Sequence, residues 1–154
     1  MFEDKDLLVF NKPSGLAVHG GSGISMGVIE AFRSLRKSDE YLELAHRIDK
    51  DTSGCLIIAK SRLALSKIGE SLQSNQVKKT YVALVKGHWP KGKSKVNAPL
   101  KKNTLLSGER IVKVDKLGKR SVTNFEITEK YENTTLLKIN LETGRTHQIR
   151  VHCQ

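Results

Sequence analysis

The chain has 154 residues, with 27 Lys and Arg against 16 Asp and Glu, a net charge of +11 and 38% hydrophobic residues. That length suits one domain, spanning 1–154, with its own core. The charge points to a polyanionic partner, nucleic acid ahead of an acidic membrane surface. No apolar run approaches the ~20 residues of a membrane span, and Met1-Phe2-Glu3-Asp4-Lys5-Asp6 lacks a signal-peptide core. The two cysteines, Cys55 and Cys153, give no disulfide framework, so a reducing cytoplasm is expected.

In chain order, Leu7 to Phe10 reads as a short strand entering a Lys12-Pro13-Ser14-Gly15 turn. Gly20, Gly21 and Gly23 make the next loop pliable. Ser25 is placed to cap a helix with Val28, Ile29, Phe32 and Leu35 as its apolar stripe. Cys55 to Ala59 is an apolar strand in which Cys55 packs as a small hydrophobe. Ser61 is placed to cap a second helix, with Leu65, Ile68 and Leu72 inward. Strands follow at Thr80–Lys86, Arg110–Val114, Ser121–Ile127 and Thr134–Asn140. Asp115-Lys116-Leu117-Gly118 and Glu132-Asn133 read as hairpin turns between them. Lys91 to Lys95 is the loosest segment. Thr146 is placed to cap a last helix, still running at Gln154. The expected class is mixed α+β, a largely antiparallel central sheet flanked by helices and loops.

Three stretches stand out chemically. His46-Arg47-Ile48-Asp49-Lys50-Asp51-Thr52-Ser53-Gly54 sets a carboxylate just before a turn that feeds a strand, a rigid mount for a reacting group. An Asp there serves equally to cap backbone amides. In Lys79-Thr80-Tyr81-Val82-Ala83-Leu84-Val85-Lys86-Gly87, alternation puts Tyr81, Ala83 and Val85 on one face and Val82 and Leu84 on the other. Thr143-Gly144-Arg145-Thr146-His147-Gln148-Ile149-Arg150-Val151-His152 is a dense polar run near the end of the chain. His147 and His152 are five apart, not the same-face spacing of a zinc helix, and Cys153 has no Cys-rich partner cluster, so no metal site is expected. The glycines at 20, 21 and 23 lack the strand–G-x-G-x-x-G–helix order of a dinucleotide fold.

Together, in this order, the three stretches resemble the pseudouridine synthases that modify large-subunit ribosomal RNA and some transfer RNAs. That family carries H-R-[LI]-D-x-x-T-S-G, K-x-Y-x-A-x-V-x-G and T-G-R-[TS]-H-Q-[IL]-R-V-H, and the likeness runs from about Asp6 to Gln154. Asn11 to Gly23, Gly27 to Glu30, Ala98 to Asn103 and Ser107-Gly108-Glu109-Arg110 narrow it to the branch that acts on several uridines of 23S ribosomal RNA. The resemblance implies isomerisation of uridine without a cofactor, on RNA, by a monomer. It makes Asp49 the carboxylate that attacks C1′ or takes a proton from C2′, and Arg150 its charge partner. Tyr81 would stack on the base and take part in deprotonating C5, with Ile149 as the apolar floor. Arg47 would fill the space left when the uridine leaves its stack. Arg145 and His147 would contact RNA phosphate or order their loop.

Each residue also has a plainer reading: Arg150 a solvated helix arginine, Tyr81 and Ile149 ordinary core, His46 a hydrogen-bonded structural histidine. The basic surface is expected to include Lys12, Lys50, Lys60, Lys78, Lys79, Lys101, Lys102 and Arg120. Family members carry further strands after this region, and many carry an S4-type RNA-binding domain before it. The chain is therefore expected to be a partial catalytic domain. A non-catalytic RNA-binding module is the competing function. A metal-dependent nuclease is disfavoured by the lack of a carboxylate cluster.

Overall fold

Residues 1–21, 23, 25–37, 41–74, 76–104 and 110–154 are described by a computed structural model, Arg110 by its backbone alone. Ser22 of the glycine loop and Ser107-Gly108-Glu109, with the Arg110 side chain, lie outside the described residues. The chain divides into two compact units, Met1–Val77 and Lys78–Gln154.

The first unit holds β1 (Phe2–Glu3), β2 (Leu7–Lys12), α1 (Val28–Leu35), β3 (Glu43–Leu44), β4 (Gly54–Ala59) and α2 (Arg62–Gln73). Its strands form an antiparallel sheet in the order β1-β2-β4-β3. Leu8 faces Ile58 and Phe10 faces Leu56 across the central pair. Leu8, Leu56 and Ile58 are buried with Val28 and Ile29 of α1, and Phe10, Phe32 and Ile48 pack against them. Alternation along β4 buries Leu56 and Ile58 and turns Cys55 outward, so Cys55 is exposed rather than packed as expected. Ser61 caps α2 as expected, its Oγ accepting from the Ala64 amide at 3.1 Å.

The cap of α1 is not Ser25 but Gly27. The Glu30 carboxylate reaches back to the amides of Gly27 (2.9 Å) and Gly20 (3.0 Å), one half of a capping box. The amides of Val28 and Ile29 donate to the carbonyls of Ala17 and Val18, so the preceding loop is sewn to the helix start. Leu35, at the last turn, is 84% exposed and lies off the buried stripe. Glu3 ties β1 to the end of α1 through Arg36 (2.7 Å) and to Lys60 (2.9 Å). Hydrogen bonds from those two cations hold its carboxyl at about 2.

The second unit holds β5 (Lys79–Lys86), β6 (Lys95–Asn97), β7 (Leu100–Thr104), β8 (Arg110–Val114), β9 (Val122–Lys130), β10 (Thr134–Leu141) and α3 (Gln148–His152). One antiparallel sheet runs β5-β10-β9-β6, and β7 pairs with β8 as a separate hairpin. Tyr81, Ala83 and Val85 lie on the core face against Trp89, Phe125, Leu137 and Ile139, while Val82 and Leu84 are exposed. The period-two reading of β5 holds. Glu132-Asn133 joins β9 and β10 as expected. Asp115–Gly118 is a tight turn, with the Gly118 amide on the Asp115 carbonyl. It does not join a hairpin, because β8 pairs with β7 and β9 with β10 and β6. Gly118 is demanded by close approach: a Cβ there would sit 2.5 Å from the Leu100 carbonyl carbon. Lys91–Lys95 is tied down rather than loose. The Trp89 indole donates to the Lys93 carbonyl at 2.7 Å, and the Ser94 carbonyl accepts from the Phe125 amide.

The class is thus mixed α+β, with every ladder among the described strands antiparallel. Among the described residues no helix is long and apolar enough to cross a membrane.

Candidate active site

Asp49 stands at the start of a turn, the Thr52 amide donating to its carbonyl at 3.1 Å. The turn is pinned from the Lys12–Leu16 loop. The Gly15 amide and the Lys12 ammonium both donate to the Lys50 carbonyl, at 3.0 and 2.7 Å, and Ser14 Oγ donates to the Asp51 carbonyl at 2.8 Å. Gly15 turns the loop at φ 84°, where a Cβ would be strained. The Lys12 side chain is fully buried, and its ammonium also donates to the carbonyls of Pro13 (2.9 Å) and Leu16 (2.6 Å). Its three N–H groups thus meet three carbonyls. Burial pulls this ammonium below the ordinary lysine value, opposed by the charges of Asp51 and Asp49. Lys12 therefore leaves the expected RNA surface and becomes the peg of the Asp49 mount. Lys60 leaves it too, half-buried between Glu3 and the Asp4 carbonyl. Lys50, Lys78, Lys101, Lys102 and Arg120 are exposed, and Lys79 is half-buried.

Between β3 and Asp49 the chain bends at Ala45 and forms neither helix nor strand. Ile48 packs into the core, and Arg47 is exposed with Nη1 3.2 Å from His19 Nε2. His46 has the structural role: its Nε2 accepts from the Ile57 amide at 3.2 Å, one residue beyond the point where the Ala45 amide meets the Ile57 carbonyl. The imidazole thus extends the β3–β4 ladder.

In the second unit, Tyr81 on β5 and Ile149 on α3 pack against the same apolar cluster. The polar run divides by burial. Arg145 and Arg150 are exposed, and His147 is half-buried. Gln148 and His152, one helical turn apart, are buried and held in a chain of hydrogen bonds. Gln148 Oε1 accepts from Thr143 Oγ1 (2.9 Å) and the Arg145 amide (3.0 Å), and its Nε2 donates to the Val122 carbonyl and Thr123 Oγ1. Thr123 Oγ1 lies 2.8 Å from His152 Nδ1, and His152 Nε2 lies 2.9 Å from the Ala98 carbonyl. A carbonyl only accepts, so His152 carries its proton on Nε2 and receives the threonine hydroxyl at Nδ1. Sequence reasoning missed both roles, although the i, i+4 spacing of Gln148 and His152 marks a shared helix face.

The helix cap also differs from expectation. His147, not Thr146, precedes α3, in the left-handed region at φ 52°, and the helix ends at His152 rather than running on. His147 makes no side-chain cap hydrogen bond, and Gln148 Oε1 reaches back to the Arg145 amide ahead of the helix. Beside this loop, Lys102, Val112, Leu117, Lys119, Gly144 and Arg145 line a cavity of about 450 Å³. Among the described residues no group of three His, Cys, Asp or Glu is arranged to hold a metal.

Asp49 and Arg47 belong to the first unit, and Tyr81, Arg145, His147, Ile149 and Arg150 to the second. The sequence model of the RNA pseudouridylate synthase family matches residues 6–154. The chain belongs to that family.

Relatives named ribosomal large subunit pseudouridine synthase C are similar along the whole chain, as the narrower resemblance implied. That of Pasteurella multocida (strain Pm70) is 58% identical over 154 residues, which are 100% of this chain and 47% of the relative. That of Haemophilus ducreyi is 57% identical, with 48% of its length covered. That of Escherichia coli (strain K12) is 54% identical, also with 48% covered. The chain spans about half the length of the curated relatives it matches. Among solved structures, human RNA pseudouridylate synthase domain containing 4 superposes with a TM-score of 0.78 at 28% identity, over 98% of this chain and 61% of that one. Human RNA pseudouridylate synthase domain containing 1 shares the fold, with a TM-score of 0.75 at 24% identity, over 99% of this chain and 62% of that one.

The two structural histidines of this pseudouridylate synthase fold make its stability depend on pH. Burial holds both His46 and His152 below the ordinary histidine value. In the unfolded chain they take protons near the usual ~6.5, in the folded chain only at lower pH. Protons therefore favour unfolding: the stabilisation is full above about 6.5 and is lost as pH falls through that value toward the folded ones. Urea midpoints should drop between about pH 7 and about pH 5, well above the range in which Glu3 titrates. Midpoints that stay level would show that neither ring is held neutral.

Proposed function

We propose that this chain is catalytic-domain sequence of a pseudouridine synthase that isomerises uridines in large-subunit ribosomal RNA, 23S RNA in bacteria, in the cytoplasm, as a monomer and without a cofactor. The observation that carries the reading is the mount of Asp49: a carboxylate on a turn whose backbone is pegged by a buried lysine, in a chain of the pseudouridylate synthase family. A rigid, half-buried carboxylate suits attack on C1′ or removal of the C2′ proton. The N1–C1′ bond breaks, the uracil turns, and C5 bonds to C1′. The C5 proton leaves and N1 gains one, so no electrons are exchanged. Arg150 is the charge partner of Asp49, and Tyr81, over the floor supplied by Ile149, stacks on the uracil and receives the C5 proton. Arg47 takes the place of the extruded uridine. Arg145 and His147, beside the cavity lined by Lys102 and Lys119, meet RNA phosphates. Both units together, residues 1–154, form this domain.

The test is tritium release from RNA carrying 5-tritiated uridine, since the isomerisation expels the C5 hydrogen. Release that tracks pseudouridine formation supports the reading. RNA binding without release would leave a non-catalytic binding module. Tyr81→Phe keeps the ring and removes the oxygen, and β5 places that ring against an apolar core where Phe fits. RNA affinity should persist and turnover should fall at least ~100-fold if the phenol handles the proton. Normal turnover with Phe and loss with Ala would restrict Tyr81 to stacking.

A further inference from the structure

Arg47 has an exposed side chain with many rotamers, and confining such a side chain opposes binding. His19 lies between Arg47 and the carbonyl of Gly20. Its Nδ1 is 2.6 Å from the Gly20 oxygen and its Nε2 is 3.2 Å from Arg47 Nη1. The carbonyl only accepts and the guanidinium only donates. One form of the ring satisfies both: neutral imidazole with its proton on Nδ1 and its lone pair toward Arg47.

The ring is held by its own backbone. The Gly20 amide is fixed to Glu30 Oε2, which also takes the Gly27 amide. A Cβ on Gly27 would come within 2.5 Å of the His19 backbone, so the start of α1 lies directly against His19. The order is therefore α1 to Gly20, Gly20 to His19, and His19 to Arg47.

We propose that His19 is a positioning residue for Arg47: as the Nδ1–H tautomer it orients the guanidinium before RNA arrives. This rests on the reading that Arg47 meets RNA. His19 uses one of the guanidinium's five N–H groups, and the planar fork keeps the others for RNA phosphates or for the gap in the opened stack. A side chain ordered in advance loses less on binding.

Two substitutions separate this role from a general structural one. His19→Asn keeps a donor for the Gly20 carbonyl but cannot reach Arg47. His19→Gln extends a carbonyl oxygen to the distance of Nε2. With the 154-residue chain and an RNA stem carrying 2-aminopurine beside the target uridine, affinity and fluorescence gain are measured for both variants, alone and with Arg47→Ala. His19→Asn should weaken binding to the stem about five-fold, the net worth of one ordinary hydrogen bond. His19→Gln should stay within about two-fold, and His19→Asn should add nothing once Arg47 is Ala. Long-range proton–nitrogen NMR correlations at neutral pH should show the ring lost in His19→Asn as the Nδ1–H tautomer. The proposal is overturned by the Nε2–H tautomer, by equal losses for Gln and Asn, or by a His19→Asn loss that persists without Arg47. If coupling between His19 and Arg47 appears while the chain releases no tritium from uridine, the positioning role stands and the isomerase reading falls.

Discussion

Asp49→Asn should reduce pseudouridine formation at least ~1,000-fold while RNA affinity stays within a few-fold of the parent. The amide is nearly the same size but is neither a nucleophile nor a base. The turn should keep its shape, because its pins act on the backbone carbonyls of Asp49, Lys50 and Asp51, which the substitution leaves in place. Removing a negative charge near phosphates also favours rather than opposes RNA binding. Tritium release and filter binding on the same preparation check both halves. Release near the parent rate would remove Asp49 from the chemistry.

Lys12→Met should be the most damaging change at a residue that touches no substrate. Methionine fills the volume of the stem but leaves the carbonyls of Pro13 and Leu16 without this donor and that of Lys50 with the Gly15 amide in its place. Unsatisfied carbonyls cost about 1–3 kcal/mol each when dry. Pro13, Leu16 and Lys50 lie at the surface, where water can replace part of the loss, so about 2–4 kcal/mol overall is expected. Turnover should fall by more than the lost stability predicts, since the Lys50 carbonyl belongs to the residue next to Asp49. Denaturant unfolding and single-turnover rates below the unfolding transition separate the two. A variant as stable and as fast as the parent would show that the ammonium is not the peg.

What the sequence made legible follows from how locally each feature is encoded. The alternation of Tyr81 to Val85 and the Ser61 cap depend on neighbours a few residues apart, and both hold. Lys12 reads as one more surface lysine, because its burial depends on a carbonyl 38 residues later. The short strands β1, β3 and β6 carry two or three residues each and no readable period. Ser25 and Thr146 are good capping residues by type, yet the caps fall at Gly27 and His147, and the Glu30 and Gln148 side chains reach back to the Gly27 and Arg145 amides. The polar run at 143–152 announced a site, but not that Gln148 and His152 would face inward and the two arginines outward. That division is set by contacts with Thr123 and Ala98, far off in the chain.

Trp89 is the one tryptophan in the chain. It is buried in the second unit, 4.6 Å from the Phe125 ring and under the Lys93 ammonium. Indole emission is therefore a built-in reporter on residues 78–154, whereas circular dichroism sums over both units. Recorded together during a denaturant titration, the two signals measure cooperativity directly. Coincident curves mean that unfolding one unit unfolds the other, and separated curves assign each transition to its half of the chain. The same optics make Lys12→Met informative without any activity assay, because a change confined to the first unit would move the ellipticity and leave the fluorescence midpoint where it was.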